Sequence, residues 1–181
     1  MAKLTTAALA AHELGLAATF GGIVFGQTGL TSSASVLADP NERTRVMEKA
    51  WSTFAVPKTL GLLTTAATWL VGRSVFSGRA LGRDLRRLIL AKDIALGVTL
   101  VAGLGAQAAG RALSREAPFP TDADGEPGPG APDRARTLVH TVSLLGAVQM
   151  LAAGAALALT SALNLRGQRS LRWGTVARVL P

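Results

Sequence analysis

The chain has 181 residues, of which 49% are hydrophobic and 17% charged, and it carries a formal net charge of +8. This is too apolar for an ordinary soluble domain of its size. No cysteine is present, which excludes disulfides and thiolate metal sites.

Four long apolar stretches follow one another, at about residues 4–30, 54–74, 88–110 and 138–163. Each is near or above the ~20 residues that cross a hydrocarbon core of ~30 Å. They are rich in Ala, Leu and Gly, so helices are the expected answer to backbone hydrogen bonding in lipid. A soluble bundle would need polar outer faces, which these stretches lack. The fold class predicted is an all-α, integral membrane four-helix bundle forming a single domain. The first stretch ends near Val36-Leu37-Ala38, which has the look of a signal-peptidase site, but its length and its charged pair favour a retained first helix.

Charge sorts by segment. Lys3, the five arginines between the second and third stretches and the four of the tail make ten basic residues against one acid, Asp84. The first and third loops together hold seven basic residues and eight acids. The positive-inside rule then puts both termini and the second loop in the cytoplasm, as expected for the inner membrane of a bacterium. Anionic lipid on that leaflet is a sufficient partner for the high pI, and no nucleic acid is called for.

In chain order, "AAHELGLAA" sets His12 and Glu13 side by side inside the first stretch. Ala8, Gly15, Thr19, Gly22 and Gly26 share the helical face of His12. Gly15, Gly22 and Gly26 are therefore the expected packing positions, with Gly22 and Gly26 forming a GxxxG pair. Next, Asp39 should cap a helix with Pro40 at its first position and Glu42 three residues after the cap. That helix either lies at the outer interface or runs into the second stretch, bending at Pro57. Trp51 reads equally as an interfacial anchor or as helix packing.

The third loop, residues 114–134, holds five of the eight prolines and is expected to be an irregular or disordered acidic segment on the extracytoplasmic side. Asp122, Asp124 and Gly125 resemble a calcium-loop fragment without its later ligands. Residues 165–181 form a basic tail in which Arg166, Arg169, Arg172 and Trp173 suit contact with anionic lipid, or docking on a partner subunit.

Shifted by 80 residues, "AHELGLAAT" (11–19) lies over "AKDIALGVT" (91–99), and shifted by 82, "KTLGLLTTA" (58–66) lies over "HTVSLLGAV" (140–148). Either a two-helix hairpin is duplicated, or Ala- and Leu-rich helices are alike by chance. A duplication would put His12, Glu13, Lys92 and Asp93 at one depth and Lys58 and His140 at another, near the outer side. The expected pairings are then Glu13 with Lys92 and His12 with Asp93, because a lone charge in hydrocarbon is costly.

The histidines invite a shared haem, but His12 lies ~12 Å in from one side and His140 only a few residues in from the other. One iron would need both nitrogens near ~2 Å. Ala8-xxx-His12 resembles the arrangement in light-harvesting polypeptides, which implies a single-histidine tetrapyrrole site as an alternative. No HxxxH or Met-rich track suggests metal, and no nucleophile or phosphate-cradling motif suggests an enzyme. Neither a cofactor nor a metal is therefore expected. Gln27, Gln107, Gln149, Thr64, Thr65 and Thr68 could line a polar seam or simply join helices.

The early His12, the Gly-rich first stretch, the aromatic-bearing second stretch and the basic second loop resemble bacterial four-helix integral membrane domains of unknown function, over about the first 75 residues. The leading expectation is a non-enzymatic accessory or assembly subunit beside a larger membrane complex, or a homo-oligomer. A small proton-linked transporter or carrier is the alternative, and the single-histidine tetrapyrrole binder a third reading.

Overall fold

The computed structural model describes residues 2–76 and 83–176, with side chains for residues 7–73 and 83–166. Its long helices are α1 (Ala2–Phe25), α3 (Pro40–Phe76), α4 (Arg83–Leu113) and α5 (Asp133–Val176). After α1 comes a π-helical turn, Gly26–Leu30, and a single turn α2, Thr31–Ala34. Four segments are long and apolar enough to cross a membrane: Ala7–Ala34, Pro40–Arg73, Arg83–Leu113 and Asp133–Arg166. Large apolar side chains face outward along them, Leu14, Val101 and Leu151 each being 70% exposed or more. Lipid is the medium in which such a surface is stable.

The helix boundaries follow local chemistry. Asp39 Oδ1 accepts the Asn41 backbone N–H at 2.8 Å, which caps α3 with Pro40 at its first position. From there α3 runs through Pro57 as one helix. The proline removes one helical donor, and packing on both sides holds the helix together across it.

Neighbouring helices are antiparallel, so the starts of α1 and α4 and the ends of α3 and α5 share one end of the bundle. We call this the tail end and the opposite one the loop end. Helix α1 lies against α3 and α5, α4 lies chiefly against α5, and α4 meets α3 only lightly.

Glycine decides the α1–α3 contact. A Cβ on Gly15 would stand 2.6 Å from the Gly61 carbonyl oxygen and from Thr65 Oγ1, so the two backbones meet there. At Gly22 and Gly26 the space is filled by the rings of Phe54 and Trp51 instead. Trp51 thus packs over α1 and sits edge-on to Phe54. Ala8 alone of the small-residue face is exposed. The central core joins Leu16, Ala95, Leu96 and Ala156, with Trp69, Leu157 and Leu159 packed on it.

Residues 12, 15, 16, 19 and 23 of α1 and Gly26 of the π-helical turn are buried, and so are residues 92, 95, 96, 99, 103 and 106 of α4, each 80 positions later. The other pair falls out of step: Lys58 and Leu62 are buried, whereas His140 and Leu144, 82 positions on, are exposed.

Of the two forms expected for the third loop, irregular or disordered, it takes the first: it is irregular but held in place. Phe119, Ala131 and Ala135 are buried together against Leu113 and Val139. Thr44 Oγ1 donates to the Phe119 carbonyl at 2.6 Å and also meets the Thr121 hydroxyl. Arg43 reaches the Thr121 carbonyl at 3.2 Å, and Arg136 the Gly128 carbonyl at 3.0 Å. A small apolar knot and satisfied backbone groups therefore clasp the loop onto the start of α3. Asp122 Oδ1 accepts the backbone N–H groups of Asp124 and Glu126 at 3.0 and 2.8 Å, so it organises its own turn.

Candidate functional site

All four long helices send polar side chains into the tail-end half of the interior. His12, only 3% exposed, directs Nδ1 at the Thr65 carbonyl (3.1 Å) and the Thr68 hydroxyl (3.1 Å). A carbonyl only accepts, so Nδ1 carries the proton and Nε2 is left with its lone pair. Nε2 is buried and has no hydrogen-bond partner. The imidazole stacks on Trp69, with ring centroids 5.9 Å apart.

Trp69 is the hub. Its Nε1–H donates to Asp93 Oδ1 at 2.6 Å, and the Lys92 ammonium lies 4.2 Å from its ring centroid. A desolvated cation over an indole gains about 2 kcal/mol. Asp93 Oδ2 is held by Arg73 Nη2 at 2.9 Å, with both side chains partly open to the outside. Glu13 accepts the Asn164 side-chain N–H at 2.7 Å.

Thus His12, Glu13, Lys92 and Asp93 do come to one end of the bundle, but the expected pairings differ. Asp93 pairs with Arg73 and Trp69 rather than His12, and Glu13 pairs with Asn164 rather than Lys92. The reason is reach. Trp69 fills the gap between α3 and α4 and offers both an N–H and a π-face, so it takes Asp93 and Lys92 together. With His12 neutral, the carboxylates of Glu13 and Asp93 are balanced by Lys92 and Arg73.

The remaining predicted residues are placed as follows. Lys58 is buried and His140 exposed, both in the loop-end half. Arg166 is exposed at the tail end, while the side chains of Arg169, Arg172 and Trp173 lie outside the described residues. His12 lies level with Asn164, 24 residues along α5 from His140, or roughly 36 Å by helix rise. One iron cannot join the two histidines. Among the described residues no three His, Asp or Glu side chains converge on a metal-sized point.

Sequence reading missed Trp69, Arg73 and Asn164. A Trp and an Arg one turn apart at the end of a span, opposite an intramembrane acid, was the available signal for the first two. Asn164 carries none, since a single amide near a helix end is ordinary.

A second polar level lies toward the loop end. Gln107 Nε2 donates to Thr59 Oγ1 at 2.7 Å, bridging α4 and α3. Gln149 is fully buried, and neither of its amide atoms has a partner. Polar groups thus recur along the sparsely packed boundary between α3 and α4.

No protein-family model, curated protein or solved structure matches the chain.

Proposed function

We propose that the chain is a small multi-pass carrier whose α3–α4 seam handles an ionic solute, with His12, Lys92, Asp93 and Glu13 as a proton-handling station at the tail end. The observation that carries this reading is the lone pair of His12 Nε2, buried without a donor in a cluster that also holds a buried lysine with no hydrogen-bond acceptor. Polar groups that only join helices are matched in pairs, because an unmatched one costs about 1–3 kcal/mol. Unmatched donors and acceptors along a loose seam suit a path on which a proton changes partners. The protein works in the inner membrane of a bacterium with both termini cytoplasmic, and Arg166, Arg169, Arg172 and Trp173 rest on anionic lipid. No enzymatic step is part of this reading. The tetrapyrrole alternative is disfavoured, since His12 Nε2 faces the bundle interior and a macrocycle has no approach to it.

The test is proton flux in liposomes carrying an internal pH dye and a potassium-diffusion potential. Acidification above that of protein-free vesicles is expected, with loss of most of it in H12F and retention in the outward-facing L14I. Wild-type flux equal to that of empty vesicles sinks the reading.

A second reading is favoured by the lipid-facing side of α1. Ala10, Ala17 and Gly21 are exposed, and a Cβ on Gly21 would meet open space. Such a face accepts another helix closely, as an accessory subunit or homo-oligomer would require. Extraction in mild detergent followed by mass measurement checks it: a colourless monomer with no companion protein counts against it.

A further inference from the structure

We infer that the loop-end half of α3 binds an anionic phospholipid, with Arg45 and Lys49 receiving the phosphate and an apolar groove beside them seating an acyl chain. The groove has a volume of about 590 Å³ and runs along one face of the helix. Arg45, Lys49 and Thr53 follow one another along it at successive turns, and Val46, Ala50 and Phe54 form a parallel row that ends at Pro57. Ala50 and Phe54 are half-buried and make the floor, while the other lining residues are exposed. Among the described residues no other helix lines the groove.

The order of these side chains along the helix matches the order of groups in a lipid. The apolar stretch of α3 begins at Phe54, so Lys49 stands roughly 8 Å outside it, within the headgroup layer. Arg45 is one turn further out, and its stem is long enough to bring the guanidinium back to that level. Thr53, one turn inward of Lys49, is level with the ester carbonyls. Its hydroxyl forms no hydrogen bond with a described residue, whereas the hydroxyl of Thr59 is already given to the Ala55 carbonyl at 2.7 Å. Phe54 and Pro57 then offer only apolar surface, as an acyl chain requires.

Charge names the occupant. Neither Arg45 nor Lys49 forms an ion pair or side-chain hydrogen bond with a described residue, and no carboxylate lines the groove. Two unmatched cations at the level of the headgroups favour an anionic lipid. A zwitterionic one would bring its own ammonium to them. A helix of another protein would cover Val46 and Phe54 and leave both cations unmet.

This site lies at the opposite end of the bundle from Arg166 and does not rest on proton transport, since occupancy is read at equilibrium in detergent. The full-length chain is unfolded thermally across titrations with dioleoyl phosphatidylglycerol, with dioleoyl phosphatidylcholine and with glycerol 3-phosphate. A saturable rise in Tm is expected with phosphatidylglycerol alone. Arg45 and Lys49 are exposed, so R45Q/K49Q should fold as wild type does. It should raise the half-saturating concentration about 30-fold, the loss of two cation contacts of ~1 kcal/mol each. T53W, also at an exposed position, should block the chain's seat and weaken the response with both cations in place. R166Q/R169Q/R172Q should titrate as wild type does. The inference is overturned by an equal rise with phosphatidylcholine, by no saturable rise at all, or by wild-type titration of R45Q/K49Q or T53W. A rise with glycerol 3-phosphate overturns it in favour of a free phosphate ester.

Discussion

Trp69 donates its indole N–H to Asp93 across 2.6 Å while its ring face carries Lys92, so one side chain of α3 holds an acid and a base that are adjacent in α4. Arg73, one turn further along α3, takes the other oxygen of Asp93. Lys92 and Asp93 are thus both held by α3.

The two functions of Trp69 are separable. W69F keeps a ring for Lys92 and His12 and loses only the N–H, so it should cost about 1–3 kcal/mol. W69A also opens a cavity and should cost about 3–5 kcal/mol. Chemical unfolding in detergent measures both, and equal losses would mean that the hydrogen bond to Asp93 carries the whole effect.

Exchange of charge between Glu13 and Lys92 should fail to rescue folding. Glu13 is bonded to Asn164, and a lysine there would face the Asn164 amide donor, while a glutamate at position 92 would meet the negative face of Trp69. E13Q should be mild, because an amide oxygen still accepts the Asn164 N–H. The double exchange should be at least as destabilised as either single variant by Tm, and recovery to the wild-type value would restore a direct Glu13–Lys92 pair.

Glycine substitutions should divide sharply along one helix. In G15A the methyl group would meet the Gly61 carbonyl and Thr65 at 2.6 Å, and backbone cannot give way cheaply. A loss of about 1–3 kcal/mol is expected from overpacking. G21A should be neutral or slightly stabilising, since nothing lies within 4 Å and alanine is the better helix former. Paired thermal melts check this, and an equal response would remove Gly15 as the point of closest approach.

The loop clasp should depend on one hydroxyl. T44V keeps shape but strips the Phe119 carbonyl of its 2.6 Å donor, at a cost of about 1–3 kcal/mol. Limited proteolysis should then cut between residues 114 and 132 well before it cuts wild type. Unchanged protection would mean that the apolar knot around Phe119 suffices.

Much of this was legible in the sequence, because the membrane demands long apolar helices and the start of α3 is written locally in Asp39, Pro40 and Glu42. The gathering of His12, Glu13, Lys92 and Asp93 was legible too, since ionisable groups in such helices must turn inward. Their partners were not. Pairing depends on which side chain bridges the gap between α3 and α4, and the one mark of Trp69 was its place a turn before Arg73 at the end of a span. The GxxxG pair misled in detail: Gly22 and Gly26 receive aromatic rings, and the close backbone approach falls at Gly15 and Gly61. Five prolines suggested a loose loop, yet proline also lowers the entropy of the unfolded chain, so one buried Phe119 and a few backbone hydrogen bonds are enough to order it.

The clasp of residues 119–121 onto Pro40 to Thr44 also fixes where the seam can yield. It links the segment between α4 and α5 to the base of α3, so the two halves of the molecule share a fulcrum at the loop end. At the tail end, the described links between α3 and α4 are the contacts made by Trp69, Arg73, Lys92 and Asp93. The molecule is therefore built as a jaw: loss of the Asp93 contacts would release its bite at one end while the other stayed pinned, and any opening would widen from the tail end inward.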